Sequence, residues 1–322
     1  MNNYESITAR LEPQMKTLNG IIRRCLTSDN HTLAQIVENY LKTEGKQLRP
    51  ILVLLSAELY GEINDKVLAA GAAIEILHNA SLIHDDVIDQ SATRRGVPTI
   101  NSVWDNHMAV LVGDFFVSKA LTCAVGTGDI NIISSLSEVG AYLAVGEINQ
   151  IDNAFHGNIT ENDYMNIISH KTASLFTSCV DVGAFGAGAS ENELHNIQSY
   201  AHLFGMAFQM KDDIFDYFHN PQMGKPTGND LREGKVTLPL IYALEHGENN
   251  AEMRQLVKKT SLNDSEIDRL VEYAKQNGGI EYTNKTMENL RDKAFACLEP
   301  YGQNKAVDDL KALFNFIITR DK

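Results

Sequence analysis

Two short acidic segments are the residues best suited to chemistry: Asp85-Asp86-Val87-Ile88-Asp89 and Asp212-Asp213-Ile214-Phe215-Asp216. In each segment the first and last aspartates stand at i and i+4, so on a helix they share one face. A single motif of this kind is commonly a solvated helix face. Both of these follow strongly apolar sequence, however, where a solvated cluster of charges would be out of place.

Carboxylates held this close repel one another, and a divalent cation removes that penalty. Ligand sets made only of oxygen favour Mg²⁺ over Zn²⁺. Mg²⁺ usually keeps several waters and completes its shell with phosphate oxygens of the substrate. The pair of motifs therefore predicts a metal-assisted clamp for a diphosphate.

Basic residues beside chain-breaking residues could supply the cations that a diphosphate site needs. Arg94 and Arg95 precede Gly96-Val97-Pro98, and guanidinium groups bind phosphate oxygens in pairs. Each of the remaining candidates, taken singly, is an ordinary surface charge; they are Lys46, Arg49, Lys171, Lys225 and Lys235. Their grouping around Gly and Pro favours shared anion binding, but spacing alone leaves their convergence open.

Helices are expected to position these residues, because apolar residues recur at spacings of three and four and no period-two alternation stands out. The predicted helices are 30–42, 66–90, 107–125, 131–152, 163–184, 191–218 and 236–246. Predicted connectors are 126–128, 185–188 and 220–228. Segments 67–83 and 199–210 are apolar around most of their circumference, as in the middle of a bundle. We expect an all-α fold, a large single-domain helical bundle over residues 1–322.

Composition restricts the partners and the compartment. The sequence has 28 basic and 42 acidic residues and a formal net charge of −14, which argues against nucleic-acid binding. The four cysteines form no CxxC pair, so neither a zinc site nor a disulfide framework is indicated. The N-terminus lacks a signal-peptide pattern, and the most apolar short run, 51–55, is too short to span a bilayer. A cytoplasmic protein is expected.

The sequence resembles the trans-type isoprenyl diphosphate synthases. The matching blocks run in order through residues 45–240: GKQLRP at 45–50, HDDVIDQSATRRGVPT at 84–99, VGDFF at 112–116, HKTASLF at 170–176, FQMKDDIFD at 208–216 and GKPTGNDLREGKVTLPL at 224–240. The resemblance implies an all-α isoprenoid synthase fold with a central cavity, a homodimer, and about three Mg²⁺ ions per active site.

The resemblance also implies a role for each matched residue. An allylic diphosphate, taken to be farnesyl diphosphate, would bind through Mg²⁺ to Asp85, Asp89 and Asp212, with Asp86, Asp213 and Asp216 in support. The cationic contacts of that site would be Arg94, Lys171 and Lys235, with Thr172 and Gln209 lining it and Lys225 closing it. Isopentenyl diphosphate would occupy a metal-free site formed by Lys46, Arg49, His78 and Arg95. Without the resemblance, His78 is better explained as a core histidine.

The implied reaction is ionisation of the allylic diphosphate, followed by attack of the isopentenyl double bond on the carbocation and loss of a proton. Metal ions and cationic side chains would stabilise the departing diphosphate. Catalysis would therefore rest on Asp85, Asp86, Asp89, Asp212, Asp213, Lys171 and Lys235. Water must be excluded, because it would trap the cation as an alcohol.

Positions that precede the first motif are expected to set the product length. Ser81 lies one turn before Asp85, and Leu77 and Ile74 lie about two and three turns before it. In the family that the sequence resembles, bulky aromatic residues at the positions of Ala80 and Ser81 stop growth at short products. Each helical turn advances about 5.4 Å, which is close to the length of one isoprene unit. Because both residues are small here, the growing tail can pass this level, which predicts a long-chain product of roughly six to ten isoprene units.

Three alternatives stay open. A shorter-chain (C15–C20) synthase could carry the same small residues. A class I terpene cyclase also uses DDxxD, but usually has a different metal motif in second place. A non-catalytic regulatory subunit would be expected to lose one acidic motif, whereas both are intact. A long product would also suit transient membrane contact at release.

Overall fold

The computed structural model describes residues 3–42, 45–156, 159–218, 227–248, 250–259 and 261–320. The chain divides into two compact units. Unit 1 comprises Met1–Ala141, Leu175–Ala201 and Cys297–Leu313, and unit 2 comprises Tyr142–Ser174, His202–Ala296 and Phe314–Lys322. Each unit is described by itself below, and the single domain expected from the sequence stays a prediction.

The fold is all-α, as predicted. The first helices are α1 Asn3–Cys25, α2 His31–Tyr40, α3 Leu48–Tyr60, α4 Asp65–Ile88, α5 Ile100–Val103, α6 Asn106–Val125 and α7 Ile130–His156. They are followed by α8 Glu161–Ile168, α9 Ser174–Gly186, α10 His195–Asp216, α11 Asn229–Arg232, α12 Leu238–His246, α13 Asn250–Leu256, α14 Asp264–Gln276, α15 Gly279–Leu298 and α16 Lys305–Thr319. A π-helical turn, Ser169–Ala173, joins α8 to α9, and 3₁₀ turns occupy Glu191–Glu193 and Glu299–Tyr301. Strands β1 Thr93–Arg94 and β2 Val97–Pro98 form an antiparallel hairpin.

All seven predicted helical segments are helical. The structure differs from the prediction at 185–188, because α9 continues to Gly186. A Cβ on Gly186 would lie 2.8 Å from the Val67 side chain, so this glycine allows close packing and does not turn the chain. The predicted connector 220–228 lies mostly outside the described residues. Helices α1, α3, α5, α11 and α13 to α16 lie outside the predicted segments, although Asn263 and Glu266 form a capping box at α14.

Helix α4 is the central element of unit 1 because small residues let its neighbours approach. Asn64 begins it as an N-cap, its side chain accepting the backbone N–H of Val67. A Cβ on Gly71 would lie 2.7 Å from the side chain of Leu18 in α1 and 3.4 Å from that of Val53 in α3. Residues 67–83 are largely buried, as predicted. Helix α4 therefore runs through the core of unit 1 and ends at the first acidic motif.

Unit 2 has a separate apolar core formed by α12, α13, α14 and the residues just after α10. Its fully buried members include Leu240, Ile267, Leu270 and Ala274. The hydroxyl of the buried Tyr217 lies 3.0 Å from Oγ1 of Thr237 and so joins the end of α10 to the start of α12. This core supports the helix end that carries the second acidic motif.

Two described helices, α4 and α6, are long and apolar enough to cross a membrane by length and composition alone. The most apolar window of α4 is 72% buried, as expected of a core helix, whereas that of α6 is 39% buried. The sequence analysis predicted both segments as helices but weighed only the short run 51–55 as a possible membrane span. Burial accounts for α4 as a core helix, but the exposed apolar face of α6 still needs an explanation.

Candidate active site

The first acidic motif lies at the C-terminal end of α4. Asp85 and Asp86 are in its last turn and Asp89 is its C-cap residue, and no basic residue belongs to that turn. The carbonyl end of a helix carries partial negative charge, so carboxylates are unfavourable there. A divalent cation would offset this cost, and the donor set fits Mg²⁺, which prefers oxygen ligands.

Asp86 is buried and bound to Arg94. Nε and Nη2 of Arg94 lie 2.9 and 2.8 Å from Oδ1 of Asp86, and Asp86 is 4% exposed. The amide N–H of Ser91 also donates to the backbone carbonyl of Asp86, at 3.0 Å. In this structure the guanidinium of Arg94 thus organises the motif from one side, and the supporting role of Asp86 toward a metal stays a prediction.

The hairpin after the motif is turned by Arg95 and Gly96, with φ values of +53° and +77°. Two positive φ values at the centre of a two-residue turn are typical of type I′. A non-glycine residue in this region costs energy, and such strain is concentrated at functional sites. The guanidinium of Arg95 packs against Gly45, where an added Cβ would lie 2.6 Å from Nη1.

Three of the residues predicted to bind isopentenyl diphosphate form one electrostatic cluster in unit 1. Burial lowers the pKa of His78 well below its ordinary value, and the charges of Arg49 and Arg95 lower it further. The His78 imidazole is therefore neutral at pH 7. Burial raises the pKa of Glu75, and the same two guanidinium groups oppose that rise. Glu75, which the motif comparison did not single out, is thus a buried partner of this cluster.

The remaining residue of this set, Lys46, is exposed, and its backbone carbonyl accepts a 2.7 Å hydrogen bond from the Tyr4 hydroxyl. Next to it, Gln47 has a φ of +47°. The side-chain amides of Gln47 and Asn19 bond to each other at 2.8 and 3.1 Å. These contacts fix the segment that carries Lys46 and Arg49. A cavity of about 40 Å³ adjoins it, lined by Asn19, Ile22, Arg23, Tyr40, Leu41, Gly45, Gln47, Glu75, Asn79 and Arg95.

The predicted chain-length residues are all on α4 but differ in exposure. Ala80 and Ile74 are fully buried and Leu77 is 6% exposed. Ser81 is partly exposed, and its hydroxyl donates a 2.9 Å hydrogen bond to the carbonyl of His78. Of the two small residues before the motif, Ser81 therefore has more room for a larger side chain.

The second acidic motif lies at the C-terminal end of α10, again with no basic residue in the last turn of the helix. Asp216 accepts the backbone N–H groups of Asn229 and Asp230, at 2.9 and 3.0 Å, with one oxygen each. It thereby anchors the start of α11 and supports the motif. Oδ1 of Asp212 accepts a 2.5 Å hydrogen bond from Arg320, a residue that no sequence motif indicated.

Asp213 is 5% exposed, and protein donors reach both of its oxygens. The Tyr164 hydroxyl donates to Oδ2 at 2.6 Å and Nε2 of Gln209 donates to Oδ1 at 2.8 Å. Oγ1 of Thr172 in turn donates to Oε1 of Gln209 at 2.7 Å. Burial raises the pKa of Asp213 to about 7, while these two hydrogen bonds hold it down. Asp213 therefore links the predicted pocket residues Thr172 and Gln209 to the motif.

The two predicted lysines of unit 2 are each paired with a carboxylate. Nζ of Lys171 forms an ion pair with Glu147 and donates to Oε1 of Gln150 at 2.7 Å. Nζ of Lys235 lies 2.6 Å from Oε2 of Glu233. Lys171 belongs to the π-helical turn, a feature that frequently marks functional sites.

One cavity of about 150 Å³ brings together five of the predicted residues of unit 2, namely Lys171, Thr172, Gln209, Asp213 and Lys235, whereas Asp212 and Asp216 are not in its lining. Its lining is Gln150, Ile159, Tyr164, Ile167, Ile168, Lys171, Thr172, Gln209, Asp213, Asp230, Gly234, Lys235, Val236, Thr237 and Val257. Asp230 was not predicted; burial raises its pKa well above the ordinary value, and Asp216 and Asp213 raise it further. Lys225 lies outside the described residues. Tyr164 and Asp230 could have been suspected from their positions within seven residues of Lys171 and Lys235.

Within the described ranges, no group of three His, Cys, Asp or Glu side chains is already arranged to hold a metal ion. A metal at either motif would thus take part of its shell from water and phosphate, as Mg²⁺ commonly does. Asp85 and Asp89 are the residues that would hold a metal at the motif of unit 1, and Asp212 is the residue that would hold one at the motif of unit 2.

Comparisons with known proteins agree with one another. A family model described as polyprenyl synthetase matches residues 30–274. The octaprenyl diphosphate synthase of Escherichia coli is 33% identical, over 99% of this chain and 100% of the relative. The crystal structure of a Caulobacter crescentus polyprenyl synthase complexed with calcium and isoprenyl diphosphate has a TM-score of 0.94 at 30% identity, covering 99% of this chain and 98% of that chain. A geranylgeranyl pyrophosphate synthase structure from Bacteroides thetaiotaomicron has a TM-score of 0.85 at 34% identity, covering 99% and 100%.

Proposed function

Since the chain belongs to the polyprenyl synthetase family and is a prenyltransferase of isoprenoid biosynthesis, we propose that it condenses isopentenyl diphosphate with farnesyl diphosphate to give a long-chain all-trans polyprenyl diphosphate. The observation that carries the proposal is the pair of helix ends, each with three aspartates and no basic residue in its last turn. Mg²⁺, about three ions per site, would add positive charge at these helix ends and stabilise the departing diphosphate.

The residues of this chain bind and orient the two substrates. Asp85, Asp89 and Asp212 receive the metal-bound allylic diphosphate, and Lys171 and Lys235 exchange their carboxylate partners for its oxygens. Arg49 and Arg95 hold isopentenyl diphosphate, and neutral His78 donates one hydrogen bond to it. Because no protein base is required, the proton leaves with the released diphosphate.

The long product is supported by two independent features. The residues one turn before Asp85, Ala80 and Ser81, are small, so the growing tail has no aromatic stop there. A relative that covers the whole chain is an octaprenyl diphosphate synthase. A geranylgeranyl pyrophosphate synthase structure shows a similar identity of 34%, so sequence identity alone does not decide the product length. The small residues and the octaprenyl relative together support the long chain.

A second copy of the chain would cover the exposed apolar face of α6. Val110, Leu111, Leu121 and Val125 are 41%, 64%, 39% and 60% exposed, and apolar patches of this kind mark association surfaces. We infer a homodimer that associates through this face. We also propose that the protein is cytoplasmic and that residues 1–322 form one domain. Light scattering should give twice the mass of one chain for the wild type and the mass of one chain for Leu111→Asp. A dimeric Leu111→Asp protein would exclude this face.

The test of the function is incorporation of radiolabelled isopentenyl diphosphate into extended products from farnesyl diphosphate, with Mg²⁺ or with a chelator. Asp85→Asn and Asp212→Asn should each lower turnover by about 10²–10³-fold. The control is Asp292→Asn, because the Asp292 side chain is 67% exposed, pairs with the adjacent Arg291 and lies outside every matching block.

Each outcome separates the synthase from an alternative. Cyclic products from farnesyl diphosphate alone would indicate a terpene cyclase. An absence of incorporation in the presence of Mg²⁺ would indicate a regulatory subunit. Products that end at C15–C20 would keep the reaction and overturn the long chain.

A further inference from the structure

Arg320, one residue beyond the end of α16, is bound to the helix that carries the second motif. Its Nη2 donates to Oδ1 of Asp212 at 2.5 Å and to the carbonyl oxygen of Phe208 at 3.4 Å. The guanidinium carbon lies 4.4 Å from the ring centroid of Phe208 and 5.4 Å from that of Phe215. Because three residues of α10 hold it, Arg320 is a fixed part of this helix end.

The two partners differ in exposure. The Arg320 side chain is 7% exposed and that of Asp212 is 37% exposed. The arginine therefore contacts the carboxylate from the buried side, and the carboxylate keeps an accessible part. A carboxylate has about four lone-pair sites, and the hydrogen bond from Arg320 takes up one of them on Oδ1.

Anchoring of the C-terminus alone does not explain this geometry. The amide N–H of Arg320 already continues the last turn of α16 by donating to the carbonyl of Phe316 at 2.9 Å. Nε of Arg320 is buried without a hydrogen-bond partner among the described residues, and such a donor is unfavourable. Such a buried donor calls for an explanation, and a functional role of the site is one.

We propose that Arg320 is a positioning residue that fixes the orientation of the Asp212 carboxylate, so that its accessible part meets a divalent cation and the substrate diphosphate. The inference rests on the proposed function. Groups that hydrogen-bond to a metal-binding carboxylate orient it, and loss of such a group typically costs about 10–100-fold in metal affinity. A lysine would keep the charge but lose the planar group that stacks on the rings.

The test measures Mn²⁺ affinity of the full chain by electron paramagnetic resonance of free Mn²⁺, in the presence of inorganic diphosphate. Arg320→Lys and Arg320→Gln should both weaken Mn²⁺ binding by about tenfold or more. The control Lys305→Gln removes a 2.5 Å pair with Asp309 on the same helix and should leave the affinity unchanged. In an Asp212→Asn background, Arg320→Lys should have no further effect, because it acts through Asp212.

Two results would overturn the proposal. If Arg320→Lys binds Mn²⁺ as the wild type does and Arg320→Gln binds it more tightly, the arginine only competes with the cation for the Asp212 carboxylate. If neither variant changes Mn²⁺ affinity and both lower the melting temperature, it only anchors the terminus. A wild-type protein that incorporates no isopentenyl diphosphate would instead refute the proposed function, so the two failures are distinguishable.

Discussion

The hydroxyl of Tyr164 donates a 2.6 Å hydrogen bond to Oδ2 of Asp213, and both residues are buried. Since Gln209 occupies the other oxygen, Asp213 is already satisfied by protein donors. Asp213 therefore helps to fix the end of α10, and the hydrogen bond from Tyr164 connects Asp213 to α8.

Tyr164→Phe removes only that hydroxyl, so we expect kcat to fall by about 10–100-fold, as for other outer partners of metal sites. The loss should be larger at pH 7 than at pH 8.5, because the hydrogen bond from Tyr164 lowers the Asp213 pKa of about 7. The matched control is Tyr282→Phe, whose hydroxyl contacts Glu161 at 3.0 Å. Equal activity of the two variants at both pH values would contradict a positioning role for Tyr164.

Arg95→Gln should raise KM for isopentenyl diphosphate by about 10–100-fold, the value of a hydrogen bond to a charged group. His78→Leu should raise the same KM less, because the neutral imidazole gives a weaker hydrogen bond. KM for farnesyl diphosphate should change little in either variant. Steady-state kinetics with each substrate varied checks this, with Arg291→Gln, which breaks only a 2.8 Å pair with the adjacent Asp292, as the control. A larger effect of either change on the KM of farnesyl diphosphate would reverse the assignment of the two sites.

The sequence indicated candidate substrate-binding residues but not the residues that hold them in place. Asp85, Lys171 and Gln209 stand in motifs whose spacing carries a chemical meaning. Tyr164 and Arg320 act from other helices, and their contacts arise only when distant segments pack together.

The same limit applies to the fold. The predicted helices are those with apolar residues at helical spacing through the middle of the chain, and all of them are present. Helix α3 was missed because its residues from Pro50 to Ala57 are buried on every side, and a continuous apolar run has no period to detect. The π-helical turn around Lys171 likewise depends on packing, since Gly146 allows α7 to approach the Lys171 backbone.

Asp181 in α9 should make stability depend on pH. Burial raises its pKa to about 6, and the 2.9 Å hydrogen bond from Gln198 opposes that rise. An acid whose folded pKa exceeds its unfolded pKa favours the protonated state, so its contribution to stability is lost as pH rises through about 6. Asp181→Asn should therefore raise the melting temperature at pH 8 by about 2–4 °C relative to the wild type, with no gain at pH 4. Thermal denaturation at both pH values checks this, and an equal gain at pH 4 would contradict the linkage.

Ser81→Phe should shorten the product, because an aromatic ring one turn before Asp85 would stop the growing tail near the top of α4. Ser81 is the better site for this test than Ala80, since Ala80 is fully buried and a phenylalanine there would overpack the core. Leu82→Phe is the matched control: Leu82 is also partly exposed, but it lines a cavity of about 340 Å³ beside Asp86 and Arg94 that Ser81 does not line. Chromatography of the extended products should show shorter chains for Ser81→Phe and the wild-type length for Leu82→Phe. A folded, active Ser81→Phe enzyme with products of unchanged length would place the path of the tail elsewhere than along this face of α4.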